Sequence, residues 1–238
     1  MEFGLRRAQG PDAGLYGARA AVIGGCVGTS NVLAGEMFDV PVMGTHAHSW
    51  IMTFKDEYTA FKEYARLYPD ACTLLVDTYD TLKSGVPNAI RVFTEMREAG
   101  IKPKSYGIRL DSGDLAYLSK KARKMLDDAG FQDAVIAASN DLDEFLIHDL
   151  KMQGAAISSW GVGTNLITSK DCPSFGGVYK LAAIQNAEGE FQPKIKISEN
   201  IEKITNPGNK TIYRIYDKET GICLLYTSPS PRDYAASR

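Results

Sequence analysis

Two histidines, His46 and His48, lie in one short loop, Gly44-Thr45-His46-Ala47-His48-Ser49, of a chain that has three in all. An imidazole serves as a base or accepts a phosphoryl group on a ring nitrogen. The two alternate along an extended loop, so their side chains point to opposite sides. His148 falls inside a helical pattern and reads as surface or packing. Further on, Arg109-Leu110-Asp111-Ser112-Gly113-Asp114 sets an arginine beside two carboxylates that straddle a glycine. That spacing suits a ribose diol or a magnesium ion, although Asp114 also reads as the N-cap of the next helix. Arg109 is costly to bury unpaired, so it meets one of these acids or an anionic substrate. Gly161-Val162-Gly163-Thr164 lets backbone N–H groups approach a phosphate and adds a hydroxyl, or is a plain turn. Ser139-Asn140-Asp141 caps a helix, binds an anion there, or does both. Asp77-Thr78-Tyr79-Asp80 supplies two more acids.

These loops share a position in the chain's rhythm. Each follows a short apolar run: Val40–Met43, Cys72–Val76, Ser105–Leu110, Ala134–Ala138 and Ile157–Gly161. The runs recur at about thirty residues or slightly less, the size of a βαβ unit. Helical patterns fill the gaps: Phe54–Leu67, Ala116–Ala129 ending at Gly130, and Asp141–Met152 opened by Asn140-Asp141 and closed at Gly154. Upstream, Ala13–Val27 reads as a packed helix, and Thr29 or Ser30 caps a second one through Met37. Strand–helix alternation predicts a parallel sheet or (β/α) barrel, with the active site at the C-terminal ends of its strands. Beyond Lys170 the rhythm lapses. Gly177–Ile184, Pro193–Ile197 and Thr211–Tyr216 read as antiparallel strands, with Asn206-Pro207-Gly208 a turn.

Composition narrows the function classes. The 238 residues carry a formal net charge of -2, with 44% hydrophobic and 24% charged residues, as in an ordinary globular protein. No basic excess points to nucleic acid, and no stretch is apolar for the ~20 residues that span a bilayer. The start, Met1 to Arg7, has no apolar core of a signal peptide. The four cysteines, Cys26, Cys72, Cys172 and Cys223, form no Cys-x-x-Cys pair and no zinc spacing, and read as free thiols in a reducing compartment. A cytoplasmic protein is expected. Tyr226–Arg238, with two prolines and no periodicity, reads as a non-native or disordered tail.

Glu2-Phe3-Gly4-Leu5-Arg6-Arg7-Ala8-Gln9-Gly10 resembles the motif that opens the catalytic half of the nicotinate phosphoribosyltransferase family. Gly28-Thr29-Ser30-Asn31-Val32 and the loops that begin at Gly44, Asp77, Arg109 and Gly161 follow in that family's order, over roughly residues 1–200. The resemblance implies an α/β fold: an irregular, here incomplete, (β/α) barrel of the type II phosphoribosyltransferase kind with part of an antiparallel β domain. It divides the chain into a barrel core at 1–185, a β-rich segment at 186–225 and the tail at 226–238. It implies transfer of a phosphoribosyl group from phosphoribosyl pyrophosphate to nicotinate, with Mg2+ and coupled ATP hydrolysis, in NAD biosynthesis. It also implies a homodimer in the full-length form.

By that resemblance, His48 matches the histidine phosphorylated from ATP. Arg109 matches the arginine that meets the pyridine carboxyl or carboxamide, and Asp111 the acid near the ribose. Phe3 and Arg6 match positions near the ring and its phosphate partners. Ser139, Asn140, Gly161 and Gly163 match the 5′-phosphate cradle, and Thr45, Asp77 and Thr164 join the substrate-binding set. Ser30 stands where nicotinamide-using relatives carry an acid. A carboxylate there repels nicotinate and a hydroxyl does not, so Ser30 favours the acid substrate over the alternative, nicotinamide. Family members begin well before the Phe-Gly motif, and the earlier part supplies an aromatic and basic residues to a partner subunit's site. A ligand-binding fragment without activity is therefore the rival from another class.

Overall fold

Four parallel strands carry the candidate site: β1 (Ala71–Leu75), β2 (Ser105–Leu110), β3 (Val135–Ala138) and β4 (Ser159–Trp160), hydrogen-bonded in that order. The structure, a computed structural model, describes residues 1–174, 180–195, 206–211, 213, 215–221 and 223–225. Register aligns Leu75 with Arg109, Arg109 with Ala137, and Ala137 with Ser159. The residues just past each strand therefore gather at one edge of the sheet. Leu74, Leu75, Ile108, Leu110 and Ile136 are all but inaccessible to solvent. Strands largely buried in the sheet read as near-continuous apolar runs, which makes β1 to β3 legible, whereas Ser159 and Trp160 of β4 are half-buried.

The Val40–Met43 run departs from expectation. It is no strand of the sheet, and only Val42 forms an isolated parallel bridge, to Thr29. Pro41 in its middle removes a backbone donor, and Gly44 follows at once. Single bridges nevertheless prolong the sheet beyond β4: Val162 pairs with Glu2, and Glu2 with Thr29. At the opposite edge, the free N–H of Leu75 donates to His46 Nε2 at 3.2 Å.

Helices cover the sheet, and four of the eight among the described residues open on a side-chain cap. Helix α1 (Pro11–Ile23) begins with Pro11 at its first turn, two residues earlier than expected from Ala13. Helix α2 (Val32–Phe38) is capped by Asn31, which accepts from Ala34 N–H, and not by Thr29 or Ser30. Helix α3 (His48–Met52) is short. Helix α4 (Glu57–Leu67) is capped by Asp56 and buries Ala60, Phe61, Tyr64 and Ala65 along one stripe. After β1, a single π-helical turn, Thr81–Gly85, leads into α5 (Val86–Glu98). Gly85 lies so close to the end of β1 that a Cβ there would overlap the Val76 carbonyl. Helix α6 (Leu115–Asp128) is capped by Asp114. Helix α7 (Glu144–Met152) is capped by Asp143, so the expected start at Asn140-Asp141 is corrected by three residues. Asn140 and Asp141 instead hold positive φ, 104° and 41°. Helix α8 (Thr164–Ile167) closes the first unit.

Contacts divide the chain into Met1–Ser174 and Phe175–Arg238, where the sequence suggested a division at 185. The second unit holds two antiparallel pairs, β5 (Ala183–Gln185) with β6 (Phe191–Pro193) and β7 (Ile215–Tyr216) with β8 (Cys223–Leu225). Asn186 accepts the N–H groups of Glu188 and Glu190 across the first turn. Gly208 sits at φ 94°, as a turn at Asn206-Pro207-Gly208 requires. Parts of the expected strands Gly177–Ile184, Pro193–Ile197 and Thr211–Tyr216, and the whole of 226–238, lie outside the described residues. Among those described, no helix is long and apolar enough to cross a membrane.

Candidate active site

An open cleft of about 440 Å³ lies at the C-terminal ends of the strands. Pockets of this size hold small ligands. Three of the four strands, β2, β3 and β4, contribute the residue that follows them. Asp111 comes after β2, Ser139 after β3 and Gly161 after β4. The segment Ser139-Asn140-Asp141 lines the cleft as a loop and not as a helix start, which corrects the reading that it caps the next helix. Its two consecutive positive-φ residues are strained conformations that persist only where surroundings enforce them. Gly163 and Thr164, at the start of α8, form another wall.

Arg109 is the charged centre. Its side chain is 14% exposed. One Nη donates to Thr45 Oγ1, and the other stands 3.4 Å from Asp111 Oδ1. Its Nε is buried without a partner. The guanidinium lies 5.6 Å from the centre of the Phe3 ring. Phe3 is fixed in turn by its N–H donating to Val162 O at 2.8 Å. Gly161 makes room for that ring, because a Cβ there would meet it at 2.6 Å. The neighbouring Glu2 is fully buried, and its carboxylate accepts from Gly4 N–H and Thr29 Oγ1. Its backbone carbonyl accepts Ser30 N–H at 3.0 Å. Phe3 and Ser30 are thus positioned on the same strut and both line the cleft, as does Arg6.

The two histidines occupy different surroundings. His46 is 7% exposed and packs edge-on against Tyr64, ring centres 4.5 Å apart. Burial lowers its pKa to about 4, so it is neutral, with Nε2 accepting from Leu75. His48 opens α3. Its Nδ1 stands 3.1 Å from Thr78 Oγ1, and its Nε2 stands 3.6 Å from Asp111 Oδ2 and 3.8 Å from Asp77 Oδ1. His48 and Asp77 do not line the cleft themselves and stand behind Asp111. Asp111 also accepts from Ser139 Oγ. Cys72 is no candidate nucleophile, since burial pushes its thiol up to about 12. Among the described residues, no three or more His, Cys, Asp or Glu side chains are grouped to hold a metal ion.

A model of the nicotinate phosphoribosyltransferase (NAPRTase) family matches residues 1–220. The chain belongs to this family. The nicotinate phosphoribosyltransferase of Bacillus subtilis is 60% identical over 218 residues, covering 92% of this chain and 44% of the relative. That of Dictyostelium discoideum is 42% identical over 92% of this chain and 44% of its own length. Crystal structures agree. Human nicotinic acid phosphoribosyltransferase superposes with a TM-score of 0.62 at 31% identity, over 68% of this chain and 43% of that one. A nicotinate phosphoribosyltransferase from Porphyromonas gingivalis gives 0.56 at 25% identity, over 86% and 55%. The chain thus spans about half the length of the curated relatives it matches.

Against the residues expected from the family's motifs, the cleft brings together Phe3, Arg6, Ser30, Thr45, Arg109, Asp111, Ser139, Asn140, Gly161, Gly163 and Thr164. Arg7, Gly44 and Asp141 also line it, and Thr78 touches His48. All four lie inside motifs already quoted. The missing signal was direction: sequence marks a loop but not which of its side chains turns inward.

Proposed function

We propose that the cleft is the site of a nicotinate phosphoribosyltransferase, which joins nicotinate to phosphoribosyl pyrophosphate to form nicotinate mononucleotide and pyrophosphate. One observation carries this reading: a nearly buried guanidinium, Arg109, with an unpartnered Nε, set beside the face of an aromatic ring, Phe3. A flat aromatic acid suits this pair, its ring against Phe3 and its carboxylate toward the guanidinium. Ser30 in the same cleft supports nicotinate over nicotinamide, since it places no negative charge there. The phosphoribosyl phosphate belongs with Ser139, Asn140, Gly161, Gly163 and Thr164, and its ribose with Asp111. The bridges through Val162, Glu2, Thr29 and Val42, with His46 on the other edge of the sheet, support an irregular barrel.

Mg2+ is ordinarily held by one or two protein carboxylates together with substrate phosphates. Asp111, whose side chain is 32% exposed, presents such a carboxylate to the cleft. Bound there, the ion would neutralise charge on the leaving pyrophosphate. His48 accepts the γ-phosphoryl group of ATP on a ring nitrogen as the bond to ADP breaks, and hydrolysis later releases phosphate. Its two neighbouring carboxylates and Thr78 orient the ring for that role. The full-length enzyme acts as a cytoplasmic homodimer. Labelled ATP tests the histidine assignment in a full-length parent: His48→Ala should abolish the protein-bound label and leave slow, ATP-independent transfer. Label that survives in His48→Ala but not in His46→Ala would reverse the assignment, and label untouched by either would end the phosphohistidine mechanism.

A further inference from the structure

A further buried carboxyl group outside the cleft bears on the surroundings of His48. Glu57, in the first turn of α4, is 3% exposed. Its Oε2 accepts from Ser84 Oγ, inside the π-helical turn Thr81–Gly85, and from Asn88 Nδ2 of α5 at 3.0 Å. Its Oε1 is buried with no partner. A buried carboxyl group with one oxygen unsatisfied costs stability, and an apolar side chain would serve packing better. Single π-turns inside helices are rare and cluster at functional sites.

The reason lies in what Glu57 connects. The π-turn directly continues Asp77-Thr78-Tyr79-Asp80, the segment that presents Asp77 and Thr78 to His48. Asp80 caps the turn by accepting Lys83 N–H, and Gly85 is pressed against Val76. A shift of Ser84 must therefore move this segment too. On the other side, α4 is tied to α3, the helix that His48 opens, by Trp50 Nε1 donating to Ala60 O at 3.1 Å. Glu57 is thus the strut between the helix pair that carries His48 and the turn that carries its partners.

We propose that Glu57 is a positioning residue that sets the contact of His48 with Thr78 by clamping the π-turn to α4. The consequence for phosphorylation rests on the function proposed above; the consequence for geometry does not. The test uses the full-length parent with three readouts: ATP-dependent label on His48, ATP-independent phosphoribosyl transfer, and the side-chain ¹⁵N resonances of His48. Glu57→Ala should cut the rate of labelling by roughly tenfold or more while ATP-independent transfer stays within roughly twofold, because Glu57 bonds Ser84 and Asn88, neither of which lines the cleft, and Asp77 stays pinned by Asp111 N–H and Ser112 Oγ. Its His48 ring resonances should move while those of His148 stay. Glu57→Gln, whose amide oxygen still accepts from Ser84 and Asn88, should restore most of the labelling. Should Glu57→Ala fold poorly, the Ser84→Ala, Asn88→Ala double variant releases the same strut from the other side and should reproduce the effect. Unmoved His48 resonances in a folded variant, or equal loss of labelling and ATP-independent transfer, would overturn the proposal. A parent that never takes label, yet shows the resonance shift, would overturn the phosphohistidine mechanism and leave the strut standing.

Discussion

Asp77 Oδ2 accepts the backbone N–H of Asp111 at 2.8 Å, so a carboxylate at the end of β1 fixes the course of the loop after β2. The same oxygen takes the Ser112 hydroxyl at 2.7 Å. The other oxygen, buried and without a hydrogen bond, faces His48. Asp77→Ala leaves the partly buried N–H of Asp111 without its acceptor and should destabilise the full-length parent by about 1 kcal/mol in urea unfolding. Asp77→Asn keeps an acceptor oxygen and should cost less, while removing the charge beside His48 and lowering ATP stimulation. An alanine variant as stable as the parent would show that the tie carries no weight.

His46 gives a pH dependence with a definite sign. Its folded pKa is lowered from 6.5 to about 4 by burial, so below pH 6.5 the unfolded chain binds a proton that the folded chain refuses. Stability from this group is complete above about pH 6.5 and is lost as pH falls toward 4, by about 3 kcal/mol in all. His46→Gln retains an acceptor for Leu75 N–H without the titration. Urea midpoints at pH 7.5 and 5 should therefore diverge more in the parent than in the variant. Equal divergence would place the acid sensitivity elsewhere.

Ser30 is expected to set the choice of pyridine substrate. Ser30→Asp puts a carboxylate in the cleft, where it repels nicotinate and can accept from the amide of nicotinamide. The ratio of kcat/KM for nicotinate over nicotinamide should fall by about tenfold or more, since a like-charge contact in a partly buried site costs over 1 kcal/mol. An unchanged ratio would remove Ser30 from the specificity argument.

Much of this was legible from the sequence, and the gaps have causes. The buried parallel strands announced themselves as apolar runs, and Ser105–Leu110 coincides with β2. Val40–Met43 looked like its neighbours but holds only one bridge, because composition does not register a proline's missing donor. The start of α7 was placed early because Asn140 and Asp141 have capping chemistry, while the cap belongs to Asp143. The two residues serve the cleft loop, so a functional site overrode the local signal there. Alternation set His46 and His48 on opposite sides and the family resemblance singled out His48; in the structure His46 is buried and His48 is partly exposed. Glu57 gave no signal, since an acid in a first helical turn is ordinary and its partners are distant in sequence.

The most direct test of the proposed activity is the steady-state rate of labelled nicotinate mononucleotide formation by the full-length parent and its Arg109→Ala variant, both supplied with phosphoribosyl pyrophosphate and ATP. Arg109 is the one cleft cation held nearly buried beside an aromatic ring, and its loss should reduce kcat/KM for nicotinate by about a hundredfold or more. Nicotinamide, which carries no charge, should suffer less. A parent that forms no product, or a folded Arg109→Ala variant that uses nicotinate as well as the parent does, would contradict the assignment.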